Sequence, residues 1–501
     1  GIGVHEVRCS ATDGAGNTST ETFRVIVLAI AMSPGERFLD VVALRRDGVP
    51  RAGDPETMIP PDAAFRTFGS AALNDDGHLL FEAAIDASPK RGLFTNASGS
   101  LEPVAISIGP PLEGEQGEWR FSHLAINDAG ETTFETLTDS GRGQFLGSGM
   151  VAAVGSEAPG TGGAEFAALH QPALDGSGEL YHAAHLVLGS GGGEGVSQFD
   201  DTGIWGTRNG LIAREGSGSP IPGFIFGHTY ARVVANEGGE VVFAANLRPA
   251  PAAAILAGKP SSLRIIVTKG DPAPGTDESF SRFLAESINS EGDIVFRAGL
   301  APSEGVTSTN NEGIWSDRSG EIELVAREGE PAPCLPPDAS AAFGGFEEMA
   351  IADDGSIYFR AFLAGDGVDA SNDGSLWRSD PSGSLHLIAR EGAPANNTGA
   401  QYRHFTGFVS NDVGAITFVA QLSSAPVGSG EMNIDQGVWL HRGGEDSVPE
   451  LLLRRGDRFE LEPGDRRLIS LIRIDRQSNP HGGVGGYGRQ LNDSGELLLR
   501  L

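Results

Sequence analysis

The chain is rich in residues able to do chemistry, but few of them cluster. Arg46, Arg214, Arg327, Arg390 and Arg454 each stand two residues before a glycine, in segments of the type Leu-Ile-Ala-Arg-Glu-Gly. If those segments are equivalent, the guanidinium groups form a ring of like charges. A planar guanidinium fork suits the carboxylate or sulfate groups of a polysaccharide. The plainer expectation is that each arginine pairs with the adjacent glutamate or with an acid of a neighbouring repeat. The loop GDGVDASNDGS gathers Asp366, Asp369, Asn372 and Asp373, and calcium prefers clustered oxygen ligands. Its spacing does not match an EF-hand loop, so a solvated hairpin loop is expected. His182 and His185 lie three apart in a strand-like segment and are expected to be satisfied polar residues rather than ligands.

Other chemistry is excluded more directly. There is no Gly-x-Ser-x-Gly nucleophile elbow, no His-Glu-x-x-His zinc motif and no phosphate loop. No catalytic, cofactor-binding or metal-ligating residue is therefore assigned. Acidic residues outnumber basic ones by 67 to 36, for a net charge of -31. Such a surface repels nucleic acid and anionic membranes, and neither is expected as a partner. The two cysteines, Cys9 and Cys334, make neither a disulfide framework nor a CxxC site, and no bond between them is expected. The most apolar run, FRVIVLAIAM, is too short to cross a membrane, so no membrane insertion is expected in this segment.

The elements that position these residues repeat. INSEGDIVFRAGL at Ile288–Leu300 returns as LNDDGHLLFEAAI, INDAGETTFETL and SNDVGAITFVAQL. The shared motif is Asn-x-x-Gly-x-x-x-Phe, with its glycine at Gly77, Gly130, Gly178, Gly239, Gly292, Gly355, Gly414 and Gly495. Two more phrases share the period: Gly-Ile-Trp, as at Gly203–Trp205 and Gly313–Trp315, and Ala-Arg-Glu-Gly, often followed by prolines. A period near 60 residues with variable loops marks a repeat architecture. Each period holds about four short strands and no sustained helical pattern. Four antiparallel strands per unit, repeated radially, is the plan of a propeller blade. The expected fold is all-β, a β-propeller of about eight four-stranded blades over residues 31–501. The strand RVIVLAIA is read as completing the last blade. An open β-solenoid is the alternative.

The repeated residues explain themselves physically. In Asn289–Gly292 the asparagine is expected to bond the backbone two residues on, and the glycine supplies a positive φ. Phe296 and its equivalents Phe81, Phe134, Phe243, Phe359 and Phe418 read as inter-blade core, as do Trp205, Trp315, Trp377 and Trp439. The third copy has Asp175 for asparagine, which keeps the turn chemistry. The sixth has Ala352, with Asp353 substituting one position later, and the eighth has Leu499 for phenylalanine. Residues spelled so many times specify a fold and not a function.

At the N-terminus, "VRCSATDGAGN" followed by "TFRVIV" resembles the last third of a HYR (hyalin repeat) domain, an immunoglobulin-like extracellular adhesion module. Residues 1–30 are read as the C-terminal part of such a domain, and the chain as a fragment beginning in mid-domain. From about residue 40 onward, the turn, tryptophan strand and Ala-Arg-Glu-Gly strand resemble the bacterial choice-of-anchor tandem-repeat proteins. That resemblance implies a secreted or cell-surface location. The functional expectation is a non-catalytic adhesion or ligand-binding scaffold, its partner an extracellular polysaccharide or another surface protein. A propeller enzyme acting on polysaccharide, glycosidase or lyase, is the second reading, and a structural surface-layer component the third. Non-repeated acids or aromatics brought within reach of each other favour the enzyme; a channel lined by repeat residues favours the scaffold.

Overall fold

The computed structural model describes residues 47–53, 59–86, 91–106, 121–138, 141–220, 222–229, 232–249, 252–333, 341–423, 435–444, 447–462, 465–469 and 490–500, with residue 472 and the strands at 10–12, 18–20, 25–31 and 38–44. Among these residues the regular structure is all strand. No helix is long and apolar enough to cross a membrane. Cys9, Cys334 and Arg46 lie outside the described residues, as does most of the HYR-like wording. Within that segment Ser10–Thr12 pairs antiparallel with Thr18–Thr20.

The chain folds as a β-propeller. Blade 1 is Phe65–Leu73, Leu79–Ile85, Arg91–Thr95 and Glu102–Ile106, paired antiparallel in chain order. Six more blades follow the same path, starting at Ser122, Phe166, Ile225, Phe280, Ala341 and Ala400. In blades 3 and 4 the first strand is split into two short pieces, Phe166–Leu169 with Ala173–Leu174 and Ile225–Thr229 with Val234–Ala235. The count of about eight four-stranded blades is thereby corrected. Seven sheets are built on that plan, the seventh with a further short strand, Pro394–Ala395, beside its first, and the sector between blade 7 and blade 1 holds a three-stranded sheet instead. There Val25–Ala31 pairs with Phe38–Leu44 on one side and Leu499–Arg500 on the other. Near the C-terminus Leu491, Leu497 and Leu499 pack on blade 7 through Val419 and Val438, whereas Leu498 packs on blade 1 beside Phe81.

The repeated turns close a circuit that an open solenoid could not form. The side-chain amide of Asn74 donates to the carbonyl of Asn127 at 2.8 Å, and Asn127 donates to Asp175 at 3.1 Å. Asn236 donates to Asn289 and Asn289 to Ala352, both at 3.0 Å. Asn411 donates to Asn492 at 3.0 Å, and Asn492 returns to Asn74 at 3.1 Å. The asparagine thus has two jobs. Its amide reaches the next turn, and its carbonyl oxygen accepts the N–H four residues on, at 2.8 Å from Asp293 to Asn289. The bond two residues on, expected from asparagine turns in general, is replaced by this wider closure. Gly292 sits at φ +90°, where a side chain is strained.

The two copies without asparagine show what its amide was doing. Aspartate and alanine cannot donate. In their place backbone groups span the gap, Gly176 N–H to Glu237 O at 3.1 Å and Asp353 N–H to Asp412 O at 3.0 Å. These are also the two copies that carry tyrosine three residues after the glycine. The Tyr181 hydroxyl donates to Asp175 at 3.0 Å, and the Tyr358 hydroxyl donates across to Gly414 O at 2.6 Å. The Asp353 side chain does not replace asparagine. It accepts the Ser290 N–H from the preceding turn at 2.8 Å.

The core lies within and between the blades. Phe296 is fully buried in a cluster that joins Phe280 and Trp315 of its own blade to Val241, Leu256 and Val267 of blade 4. The Phe296 and Trp315 rings stack at 6.4 Å. The indole N–H of each buried tryptophan needs an acceptor. Trp205 donates to Pro159 O and Trp315 to Pro274 O, both at 3.0 Å. In these two blades the proline-rich stretch presents that carbonyl, whereas Trp377 donates to Ser375 Oγ at 2.8 Å and Trp439 to Asn396 O at 3.4 Å.

Candidate functional site

The repeated arginines are scaffold. Arg214 donates from Nε to Asp200 O at 2.9 Å and pairs with the Asp200 carboxylate. Arg327 and Arg390 donate in the same way to Asn310 O and Asn372 O, and Arg454 pairs with Asp435. Each holds the loop that leads into the tryptophan strand of its own blade. The expected partners, the adjacent glutamate or a neighbouring blade's acid, are not the ones used. With Nε committed to that loop, these arginines lend no support to a polysaccharide-binding ring.

The acidic loop is also scaffold. Asn372 Oδ1 accepts the Asp369 N–H at 2.9 Å, and its Nδ2 donates to Gly367 O at 3.0 Å. The same two bonds recur in blade 5 on Asn310, from Thr307 N–H at 2.7 Å and to Gly305 O at 2.9 Å. Blade 5 builds the loop with threonines where blade 6 has Asp369, so its shape does not require a cation.

A second acidic set follows the asparagines around the ring of turns. Carboxylate oxygens of Asp75, Asp412 and Asp493 lie within 4.8 Å of one another, as do those of Asp75, Asp128 and Glu237. Backbone N–H bonds draw them together: Asp75 N–H to Asp128, Asp412 N–H to Asp493 and Asp493 N–H to Asp75, each at 2.9 Å.

Several histidines outside the repeated motifs converge elsewhere, together with Glu215 of an Ala-Arg-Glu-Gly segment, at the ends of blades 2, 3 and 4 away from the turns. His170 follows the first strand piece of blade 3, and its N–H donates to Ala183 O. His185 lies on the next strand opposite Thr202, and His228 lies on the first strand of blade 4. The rings of His170 and His185 meet edge to face at 5.2 Å, and those of His185 and His228 are tilted at 5.9 Å. Acids bound the row at both ends. Glu215 Oε2 lies 3.9 Å from His228 Nδ1, while Glu215 Oε1 accepts from Arg248 at 2.8 Å. At the other end Glu135 pairs with Arg142 and lies 3.8 Å from His123 Nδ1. The side-chain amide of Gln144 donates to His170 O. The Arg248 guanidinium also lies 5.6 Å from the ring centroid of Phe199, which is 57% exposed.

Burial and the neighbouring imidazole of His185 lower the pKa of His170, and burial lowers that of His123. Both are neutral near pH 7. Burial raises the pKa of Glu215, against the opposing pull of Thr202 and Arg248. His170 Nε2 is enclosed and makes no hydrogen bond within the described residues.

Of the two histidines singled out in the sequence, only His185 joins this row. His182, on the opposite face of the same strand, takes the place of the repeated phenylalanine. It packs edge-on to Phe166 at 5.5 Å and stacks on Trp205 at 6.2 Å. Both its ring nitrogens are buried without a hydrogen bond, so it is not the satisfied polar residue that was expected. His123, Glu135, His170, Phe199, His228 and Arg248 were not legible as a group, because they are spread over three blades, in different loops and strands. Aligning the repeats gives only a partial signal, because Glu135 has a counterpart in Glu82, paired with Arg91 as Glu135 is with Arg142, and Glu215 belongs to a repeated Ala-Arg-Glu-Gly segment.

The model of a family of unknown function, DUF7453, matches this chain over residues 146–252 and 233–501. No curated protein matches it. Solved structures are similar to it at low identity. Prolyl oligopeptidase B from Galerina marginata is 9% identical, with 81% of this chain and 52% of that one covered and a TM-score of 0.40. The chain therefore spans about half the length of that structure. The Dos1 propeller is 9% identical over 77% of this chain and 92% of its own, with a TM-score of 0.34. An α-L-arabinofuranosidase, Arb93A from Fusarium graminearum, is 11% identical over 45% of this chain and 66% of its own, with a TM-score of 0.23.

Proposed function

This chain belongs to the DUF7453 family of unknown function, and we propose that it is a non-catalytic, extracellular or cell-surface scaffold that binds a neutral polysaccharide on blades 3 and 4. One observation carries the reading: exposed Phe199, with Arg248 over its ring, stands beside Glu215 and His228. An apolar ring face beside fixed donors and acceptors matches a sugar, which offers C–H faces and hydroxyl groups together. Arg248 commits Nη2 to Glu215, out of the five N–H donors that a guanidinium carries. The net charge of -31 disfavours a polyanionic glycan. The surface location rests on the resemblance to secreted repeat proteins.

The test is affinity electrophoresis against a panel of neutral and acidic polysaccharides. Phe199→Ala and Arg248→Ala are expected to weaken retention by a neutral glycan at least tenfold. Retention that survives both substitutions overturns the reading. The enzyme alternative is favoured by one feature, the raised pKa of Glu215 beside His228, which suits a general acid. Release of reducing ends or unsaturated products, abolished by Glu215→Gln, decides for it.

A further inference from the structure

Building on the polysaccharide reading, we propose that the glycan site continues from blades 3 and 4 along the histidine row to blade 2, and takes an oligosaccharide held at both ends by equivalent arginine–glutamate–histidine sets. The two ends are built alike. At one, Glu215 Oε1 accepts from Arg248 at 2.8 Å, and Glu215 Oε2 lies 3.9 Å from His228 Nδ1. At the other, Glu135 Oε1 accepts from Arg142, and Glu135 Oε2 lies 3.8 Å from His123 Nδ1. In each set the glutamate side chain is buried, at 3% and 2% exposure, and the arginine that caps it is open to solvent, at 37% and 55%. A site that presents the same chemistry twice suits a ligand that offers the same groups twice, as a chain of sugar residues does.

The stretch between the ends suits such a chain. The rings of His228 and His185 are 5.9 Å apart, and those of His185 and His170 are 5.2 Å apart. Each step is close to the length of one pyranose residue, so successive imidazoles fall at the pitch of successive sugars. Gln144, fully buried, donates to His170 O and ties the row to the Glu135 end. Charge fits as well. Each guanidinium is balanced by its own carboxylate, and burial keeps His123 and His170 neutral near pH 7. A strip of paired charges presents N–H donors to hydroxyl groups without a net field to attract a polyanion.

The molecule contains its own control. At the junction of blades 6 and 7, His404 Nδ1 lies 3.4 Å from Glu391, and among the described residues no arginine pairs with that glutamate. A glutamate–histidine pair thus belongs to the blade junction. The added arginines, Arg142 and Arg248, single out the two sets that flank the row.

The experiment is calorimetric titration of the whole chain with neutral oligosaccharides of two to six residues from the cellulose, mannan, xylan and starch series. In the series that binds, affinity is expected to rise at least tenfold from two residues to four, because the second set is reached by a ligand already held at the first. Arg142→Ala should remove that gain and leave the shortest bound sugar unaffected. Phe199→Ala should weaken every length, and His404→Gln should change none. Affinity independent of length, or a gain that survives Arg142→Ala, overturns the extension to blade 2 and leaves the polysaccharide reading standing. A titration in which no length of any series binds overturns both. Should Arg142→Ala fold poorly because it strands Glu135, the length series on wild-type protein still decides.

Discussion

The ring of turns and the histidine row occupy opposite ends of the same strands and follow opposite rules. In the ring each residue type recurs, and each side chain finishes a bond that its neighbour begins. In the row most of the histidines do not recur, although His404–Glu391 repeats the His228–Glu215 pair, and ring nitrogens of His123 and His170 are enclosed without hydrogen bonds. Where a position is written eight times, loss of one copy damages stability. Where it is written once, loss should damage function and leave the fold nearly unchanged.

The sharpest test of that contrast is Phe296→Ala. Deleting a fully buried phenylalanine between blades is expected to cost about 3–5 kcal/mol, read by denaturant unfolding. Ligand binding by the folded fraction should not change. A stable variant that has lost binding would erase the division between scaffold and site.

His182→Phe restores the repeated residue and should stabilise. The pKa of His182 is lowered by burial to about 4, against 6.5 for a free imidazole. Between pH 6.5 and 4 the unfolded chain therefore binds the proton that the folded protein refuses. Stability present above pH 6.5 is lost as the pH falls toward 4, by on the order of 3 kcal/mol for this one group. The variant should flatten that acid limb in melts taken from pH 7 to 4. A remainder is expected from His441, also lowered by burial to about 4. An unchanged acid limb would show that His182 is not the group refusing the proton.

Asn289→Ala removes the donor to Ala352 O and the acceptor of the Asp293 N–H. With both partners buried or half-buried, about 1–3 kcal/mol should be lost. Tyr358→Phe probes the copy that lacks asparagine. Losing the bond to Gly414 O should cost about 0.5–1.5 kcal/mol by thermal melting. A neutral result would mean that the backbone bond from Asp353 already suffices. The smallest effect is expected at the row itself: His228→Ala should move stability by less than about 0.5 kcal/mol, as for other exposed positions.

Much of this molecule was legible in its sequence because repetition averages away ambiguity. One Asn-x-x-Gly-x-x-x-Phe hairpin is a weak signal; eight related turns, five with the full motif, point to a repeat array and assign Phe296 and Trp315 to its core. Turn geometry, strand alternation and burial are local, so the chain determines them within each period. Three things were decided only by folding. The reach of the asparagine amide is an inter-blade property, and so is its replacement by Gly176 and Asp353 N–H groups. The sector between blades 7 and 1 joins strands from both ends of the chain, and its three-stranded form depends on which segments remain to pair. The row from His170 to His228 crosses a blade boundary. Its members are brought together by the packing of two sheets, which no spacing along one strand records.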